Sequence, residues 1–410
     1  HYFNPGHEMA ILLDKENYTP SRNVQKMCIE LATLPVWYAD PEDYVIVPEH
    51  VAPRFFSLLP KGLRPFAKVV TAHDLHEMKD SLPADLEAAP WGISPASIAF
   101  FRQLKKETGI AIQIPEWKEA YRKLTSRETA AACLEKIKEA LPDIEIPYPP
   151  KFCTKVADVE KFLKLKNAPF VMKTPFSSSG RGLYWLTTRK LLAKDKLWIE
   201  GAIKKQGKIS IESGLNRFQD LAMEFYSDGE GHLQFEAYSF FGTSSRGAYR
   251  GNALESQKDF LAGLTRFIDP NEVERIQACV QSVLQETYAS IYKGYIGVDM
   301  MTYRDAQNQF HLHPCVEINM RYTMGILAHK LTERCLPARQ IGDAKSDYFA
   351  QRGEALQQHQ WFKKAYPLVQ VGDRIQGYMP LCPVTKESHY LAYLIIIYGY
   401  HMGITHFQSA

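Results

Sequence analysis

The sequence predicts a mixed α/β chain: an N-terminal parallel α/β domain over residues 1–120, a pair of α+β subdomains over 121–207 and 208–335, and a small extension over 336–410. Three observations predict it. In the first 120 residues short apolar runs alternate with helical patterns, as in strands laid parallel through helical crossovers. Residues 170–185 read as strand, small-residue loop, strand. Strand-like stretches over 208–239 and 297–321 flank one long amphipathic stretch starting at Pro270.

Composition narrows the function. With 410 residues, 45% hydrophobic and 23% charged, the chain is an ordinary globular protein with room for sizeable cores. A net charge of +3 is too small to indicate a nucleic-acid partner. Seven scattered cysteines, with no C-x-x-C, speak against a disulfide framework or a zinc site and fit a reducing compartment. The longest uncharged apolar stretch, 390–404, is too short for a bilayer and is expected as a buried strand or helix. The chain opens without a basic region followed by an apolar one, so the expected location is the cytoplasm, with no membrane partner; a leader cleaved before His1 would leave no trace.

Taken in order, residues 9–13, 44–47 and 67–70 are expected strands, and 21–34 a helix capped by Ser21. The polar opening over 3–8 reads as an entry turn or a cleft lining. Helices are expected over 97–108 and 126–141. Ser126 caps the second and places Arg127 in its first turn, where a cation opposes the helix dipole. Either an anionic ligand or solvent balances that charge. A helix over Val156–Leu165 precedes the central segment.

There an apolar run delivers Lys173 to a loop containing Ser177, Ser178, Ser179 and Gly180. Such a loop turns backbone N–H groups and hydroxyls towards one point, which suits a polyphosphate; the plain alternative is a hairpin with a flexible tip. Strand rather than helix follows Gly182, so neither the Walker A motif nor the dinucleotide fingerprint fits.

Downstream, a helix over 197–206 and a strand over 208–211 lead to Glu212 and Leu215, and strands over 220–226 and 232–239 form a hairpin. A basic, glycine-rich stretch at 242–251 holds Arg246 and Arg250, and a helix is expected over 270–292. Strands over 297–301 and 313–321 follow. Alternation puts Glu317, Asn319 and Arg321 on one face and Val316, Ile318 and Met320 on the other. A carboxylate with an amide oxygen two residues on suits Mg²⁺ when phosphates complete the shell, while a half-exposed edge strand would look similar. A helical region over 345–366 and a hairpin near 372–373 end the chain, and no repeat is present.

Together, Lys173 with its loop, Glu212, Asp299 and Glu317-x-Asn319-x-Arg321 resemble the ATP-grasp superfamily over about residues 120–325, with the ATP-binding part of D-alanine:D-alanine ligase the nearest pattern. The resemblance implies an ATP-grasp pair of subdomains behind a pre-ATP-grasp-like domain. It makes Lys173 a ligand of the α- and β-phosphates and residues 176–182 a flap over the β- and γ-phosphates. Arg127 takes the place of the family's earlier basic residue, usually lysine, with Lys123 as a rival. Glu212 and Leu215 match the hinge at the adenine edge, Asp220 the acid at the ribose hydroxyls, and Asp299, Glu317 and Asn319 the ligands of Mg²⁺, with Mn²⁺ as an alternative.

Arg321 would sit beside the γ-phosphate. The family arginine two residues before the first metal acid is Gly297 here, and Arg246 and Arg250 are the candidates to replace its charge, unless their loop is simply solvated. The activity implied is ligation of a carboxylate to an amine through an acyl phosphate, with ATP consumed. A kinase using the same site and a nucleotide-binding module without turnover are the alternatives. The expected partners are small molecules, and a homodimer is compatible.

Overall fold

The computed structural model describes residues 1–48, 53–177, 182–244, 249–336, 340–371 and 374–398. The chain forms two compact units. One comprises His1–Lys118, Arg250–Phe260 and Arg321–Met402, the other Glu119–Tyr249 and Leu261–Met320.

In the first unit the strands Tyr44–Ile46 and Lys68–Val70 pair in parallel, with Val45 opposite Val69. The run 9–13, expected as a strand, lies instead in the helix His7–Leu13. Five consecutive apolar residues fit either element. Here Gly6, at φ 82°, opens a helix that buries His7, Ala10 and Ile11 on one face. The helix Arg22–Glu30 stops short of residue 34 and is followed by the 3₁₀ turn Leu34–Trp37. Pro35, having no N–H, belongs to that turn rather than to a helix interior. Ser21 stands at the helix start without a side-chain cap bond.

The C-terminal residues complete this unit. Strands Tyr249–Leu254, Gln340–Tyr348, Tyr390–Tyr398, Arg374–Pro380 and Val369–Val371 lie side by side in that order, antiparallel wherever register is defined. The helical region expected over 345–366 is therefore corrected: Gln340–Tyr348 is a strand, and only Glu354–Ala365 is helical. Pairing on both edges overrides a weak local preference. The stretch 390–404 is a strand as far as Tyr398, and its remainder, like the tip of the 372–373 hairpin, lies outside the described residues. The core joins both ends of the chain, with Leu34, Trp37 and Leu63 packed in one cluster with Leu327, Leu394 and Ile396. Each such burial contributes roughly 1.5–3 kcal/mol. Glu30 tightens the join by accepting the backbone N–H groups of His389 and Tyr390, both at 2.7 Å.

The second unit holds two antiparallel arrays. The first is ordered Lys151–Cys153, Ile209–Ser213, Phe170–Lys173, Leu183–Leu186. Its core takes Val159 and Leu163 from the helix Val156–Leu165 and Ile199 from Ala193–Gln206. The second array is ordered Phe310–Asn319, Lys293–Arg304, Asn216–Asp228, Leu233–Thr243. The helix Pro270–Tyr288, ending earlier than residue 292, buries Val273, Ile276, Val280, Val283 and Leu284 behind its Asp269 cap. All seven cysteines are unpaired. Among the described residues no helix is long and apolar enough to cross a membrane.

Candidate functional site

Lys173 ends a strand whose Phe170 and Met172 are fully buried, so the strand cannot slip without exposing its core. Lys173 faces Ser210 and Val171 faces Glu212 on the neighbouring strand. Two residues along a strand return to the same face, which brings Lys173 and Glu212 together diagonally. Their Nζ and Oε1 are 2.5 Å apart. Just beyond, the Thr174 N–H donates to the Gly182 carbonyl at 3.0 Å. Gly182 is required there, because a Cβ would stand 2.3 Å from Thr174 Oγ1.

Arg127 begins the helix Arg127–Ala140 after its Ser126 cap, and its own N–H donates to Pro175 O at 3.1 Å. Its side chain is 7% exposed, and both of its terminal nitrogens find acceptors within the chain. Nη1 donates to Thr174 O at 2.6 Å and Ser177 Oγ at 2.8 Å, and Nη2 donates to both Glu317 oxygens, at 2.7 and 2.8 Å. Nε is buried with no partner among the described residues. The charge that opposes the helix dipole thus has an anion in Glu317. Lys123, in contrast, is exposed on the short helix Ala120–Thr125.

Glu317 lies directly opposite Asp299 on the adjacent strand, and Asn319 opposite Gly297. Like charges facing each other across a ladder repel unless a cation intervenes. Register shifts in this ladder, since Met301 pairs with His313 while Asp299 pairs with Glu317. The strand carrying Pro314 thus has two extra residues, as at a bulge. That corrects the expected alternation: Val316 does not turn away from the site but lines the same cavity as Asp299.

The cavity measures about 1100 Å³ and is bounded in part by Lys173, Glu212, Leu215, Asp220, Asp299 and His313, with Tyr148, Phe162 and Trp185 as apolar walls. Gly214 closes the turn before Leu215, its N–H donating to Pro169 O at 2.7 Å. Asp220 accepts from Arg217 Nη1 and Thr243 Oγ1, each at 2.6 Å. His313 escaped the sequence reading, because a histidine inside an apolar strand carries no motif. Burial pushes its pKa down to about 4 against the pull of Glu212, so its ring is neutral at pH 7.

Arg321, past the end of the strand, belongs to the first unit, where its Nε donates to Glu8 Oε1 at 3.0 Å. Arg250 belongs to the first unit too and is exposed. Ser178, Ser179, Gly180 and Arg246 lie outside the described residues.

No family model and no curated protein sequence matches the chain. Solved structures do. Biotin carboxylase of Campylobacter jejuni, in complex with β,γ-ATP, superposes at a TM-score of 0.51 and 10% identity over 90% of this chain and 85% of its own. N5-carboxyaminoimidazole synthetase of Staphylococcus aureus, with ADP, gives a TM-score of 0.48 and 14% identity over 97% and 93%. D-alanyl-alanine synthetase A of Vibrio cholerae gives 0.37 and 17% over 59% and 67%. The chain has the fold of the ATP-grasp enzymes.

Proposed function

We propose that this protein is an ATP-dependent ligase joining a carboxylate to an amine through an acyl phosphate, with release of ADP and phosphate. The observation that carries the reading is the set of charges in the second unit: the Lys173–Glu212 pair bounds a cavity of nucleotide size, and Arg127 lies on Glu317, opposite cavity-lining Asp299.

The donors also fit Mg²⁺. Among the described residues no three His, Cys, Asp or Glu side chains are gathered as in a site held by protein alone. Two carboxylates and the Asn319 amide are hard oxygen donors, a set that phosphate oxygens would complete, and the pairing of Glu317 with a guanidinium supports its being ionised for that role. Bound to Asp299, Glu317 and Asn319, Mg²⁺ or Mn²⁺ would neutralise phosphate charge.

In this reading the backbone at Glu212 and Leu215 receives the adenine edge, and Asp220 the ribose hydroxyls. Lys173 and Arg127 grip the phosphates, and Ser177, Ser178, Ser179 and Gly180 cover them. A substrate carboxylate oxygen attacks the γ-phosphorus and ADP departs. The amine then attacks the acyl carbon, loses a proton and displaces phosphate, and the loop excludes the water that would otherwise hydrolyse the intermediate. Positive charge for the acyl phosphate is assigned in this reading to Arg321, Arg246 and Arg250, and Arg321 would have to exchange Glu8 for that role.

The test is ADP release from pooled carboxylates and amines. A ligase releases ADP only when an acid and an amine are both present, and ADP formed with a hydroxyl compound alone would make it a kinase. Glu317→Gln with Asn319→Ala should abolish Mg²⁺-dependent ATP binding by calorimetry; unchanged affinity would remove the metal assignment.

A further inference from the structure

The first unit contains a second cavity, of about 620 Å³. His7 and Ala10 of the helix His7–Leu13 bound it on one side, and Ala96, Ala99, Gln103 and Lys106 of the helix Pro95–Thr108 on another. The last four recur at helical spacing and so share one face. Two alanines on that face leave room that larger side chains would fill. Tyr2 and Phe100 add an apolar wall, their rings stacked at 3.9 Å with 10° between planes.

His7 is only 4% exposed, and its Nδ1 is buried with no hydrogen-bond partner among the described residues. Glu8 Oε2, itself buried without a hydrogen-bond partner among the described residues, stands 3.7 Å from it, too far for a hydrogen bond, while Glu8 Oε1 accepts from Arg321. The ring is accommodated deliberately: Gly92 lies against it, and any Cβ there would stand 2.4 Å from the imidazole. A polar ring this deep ordinarily has a partner. Beside it begins the 14-residue helix Pro95–Thr108. The Ser94 cap takes up the N–H groups of Ser97 and Ile98, and the Ala96 N–H is not among those it uses. The positive end of a helix and an imidazole therefore face one space, whose lining also holds Asn4, Asn17 and Glu16 beside the Tyr2–Phe100 stack.

We propose that this cavity binds a small carboxylic acid with an apolar body, its carboxylate held by His7 and the start of the helix Pro95–Thr108, its body against Tyr2, Phe100 and the two alanines. Burial holds the His7 pKa below its ordinary value, so in the free protein the ring is neutral and presents one N–H donor and one acceptor. Lys106 and Arg102 at the rim add positive charge for an entering anion, although Glu16 already pairs with Arg102 at 2.9 Å. In the ligase reading this is the class of acid to be activated, and to that extent the inference rests on it. The test below omits ATP, so it stands or falls separately.

The full chain is titrated by calorimetry with 3-phenylpropanoate and hexanoate, and with 3-phenylpropanamide, which keeps the body and loses the charge. We expect saturable binding of the acids, with the amide about tenfold weaker or worse, roughly 1.4 kcal/mol. Ala99→Leu keeps a good helix former and fills the space, and should abolish binding. His7→Gln should weaken the acids about tenfold and leave the amide unaffected. If His7→Gln fails to fold, Ala99→Leu still decides. No binding of either acid, equal binding of acid and amide, or unchanged affinity in Ala99→Leu would each overturn the site.

Discussion

In the second unit Arg127 meets Glu317 and Lys173 meets Glu212, whereas in the first unit His7 Nδ1 and Glu255 Oε1 are buried without hydrogen-bond partners among the described residues. The contrast concerns what an arriving ligand must do. Where cation and carboxylate already hold each other, a polyphosphate and its metal have to take the place of an existing partner, and binding is an exchange. Where a buried group has none, a ligand or a proton supplies what the fold leaves out. Even in the first unit Glu8 is paired with Arg321, so the difference is local rather than a property of composition.

The sharpest way to break the comparison is to remove half of a pair. Glu317→Ala leaves the 7% exposed guanidinium of Arg127 without its counter-charge, and without nucleotide the unfolding free energy should fall by about 3–5 kcal/mol. Urea denaturation giving a loss below about 1 kcal/mol would show that the pair is no stronger than a surface one.

Glu255 offers the complementary test. Burial first, then Asp259 and Asp343, push its pKa up to about 7. A carboxyl whose pKa is higher in the folded than in the unfolded state binds more protons when folded, so stability falls as pH rises from about 4.5 to about 7. Glu255→Gln should remove this slope and stabilise the protein at pH 8 by about 2–3 kcal/mol. Parallel pH profiles for both proteins would mean that Glu255 finds a cation in solution.

The third effect is somewhat smaller. Lys173→Met should weaken ATP by roughly thirtyfold, about 2 kcal/mol, while adenosine keeps its affinity, because only the charged part of the ligand loses a partner. Equal losses for both ligands would place the lysine away from the phosphates.

Local signals made much of the second unit legible. Phe170–Lys173 and Val156–Leu165 follow from apolar period and turn residues, and the cap at Ser126 fixed the start of the Arg127 helix. The odd placement of Arg127 in a first turn pointed to an anion, but nothing in the sequence says that Glu317, 190 residues on, is the one within reach. What stayed hidden depends on contacts between distant residues. The helix His7–Leu13 looked like a strand because five apolar residues have no period. Gln340–Tyr348 is a strand because neighbours on both sides pair with it. His313 enters the cavity wall through a register shift that no local pattern announces.

The Arg127 guanidinium joins a helix start, the segment after Lys173 and a strand near the end of its array, across separations of 47, 50 and 190 residues. Closing loops of that length delays such a contact until most of the surrounding structure is in place. An interaction made after the folding transition state governs how fast the native state comes apart rather than how fast it forms. The same four hydrogen bonds that hold Thr174, Ser177 and Glu317 therefore act as a brake on unfolding, and the lifetime of the folded second unit is set in part at the place where its ligand is expected to bind.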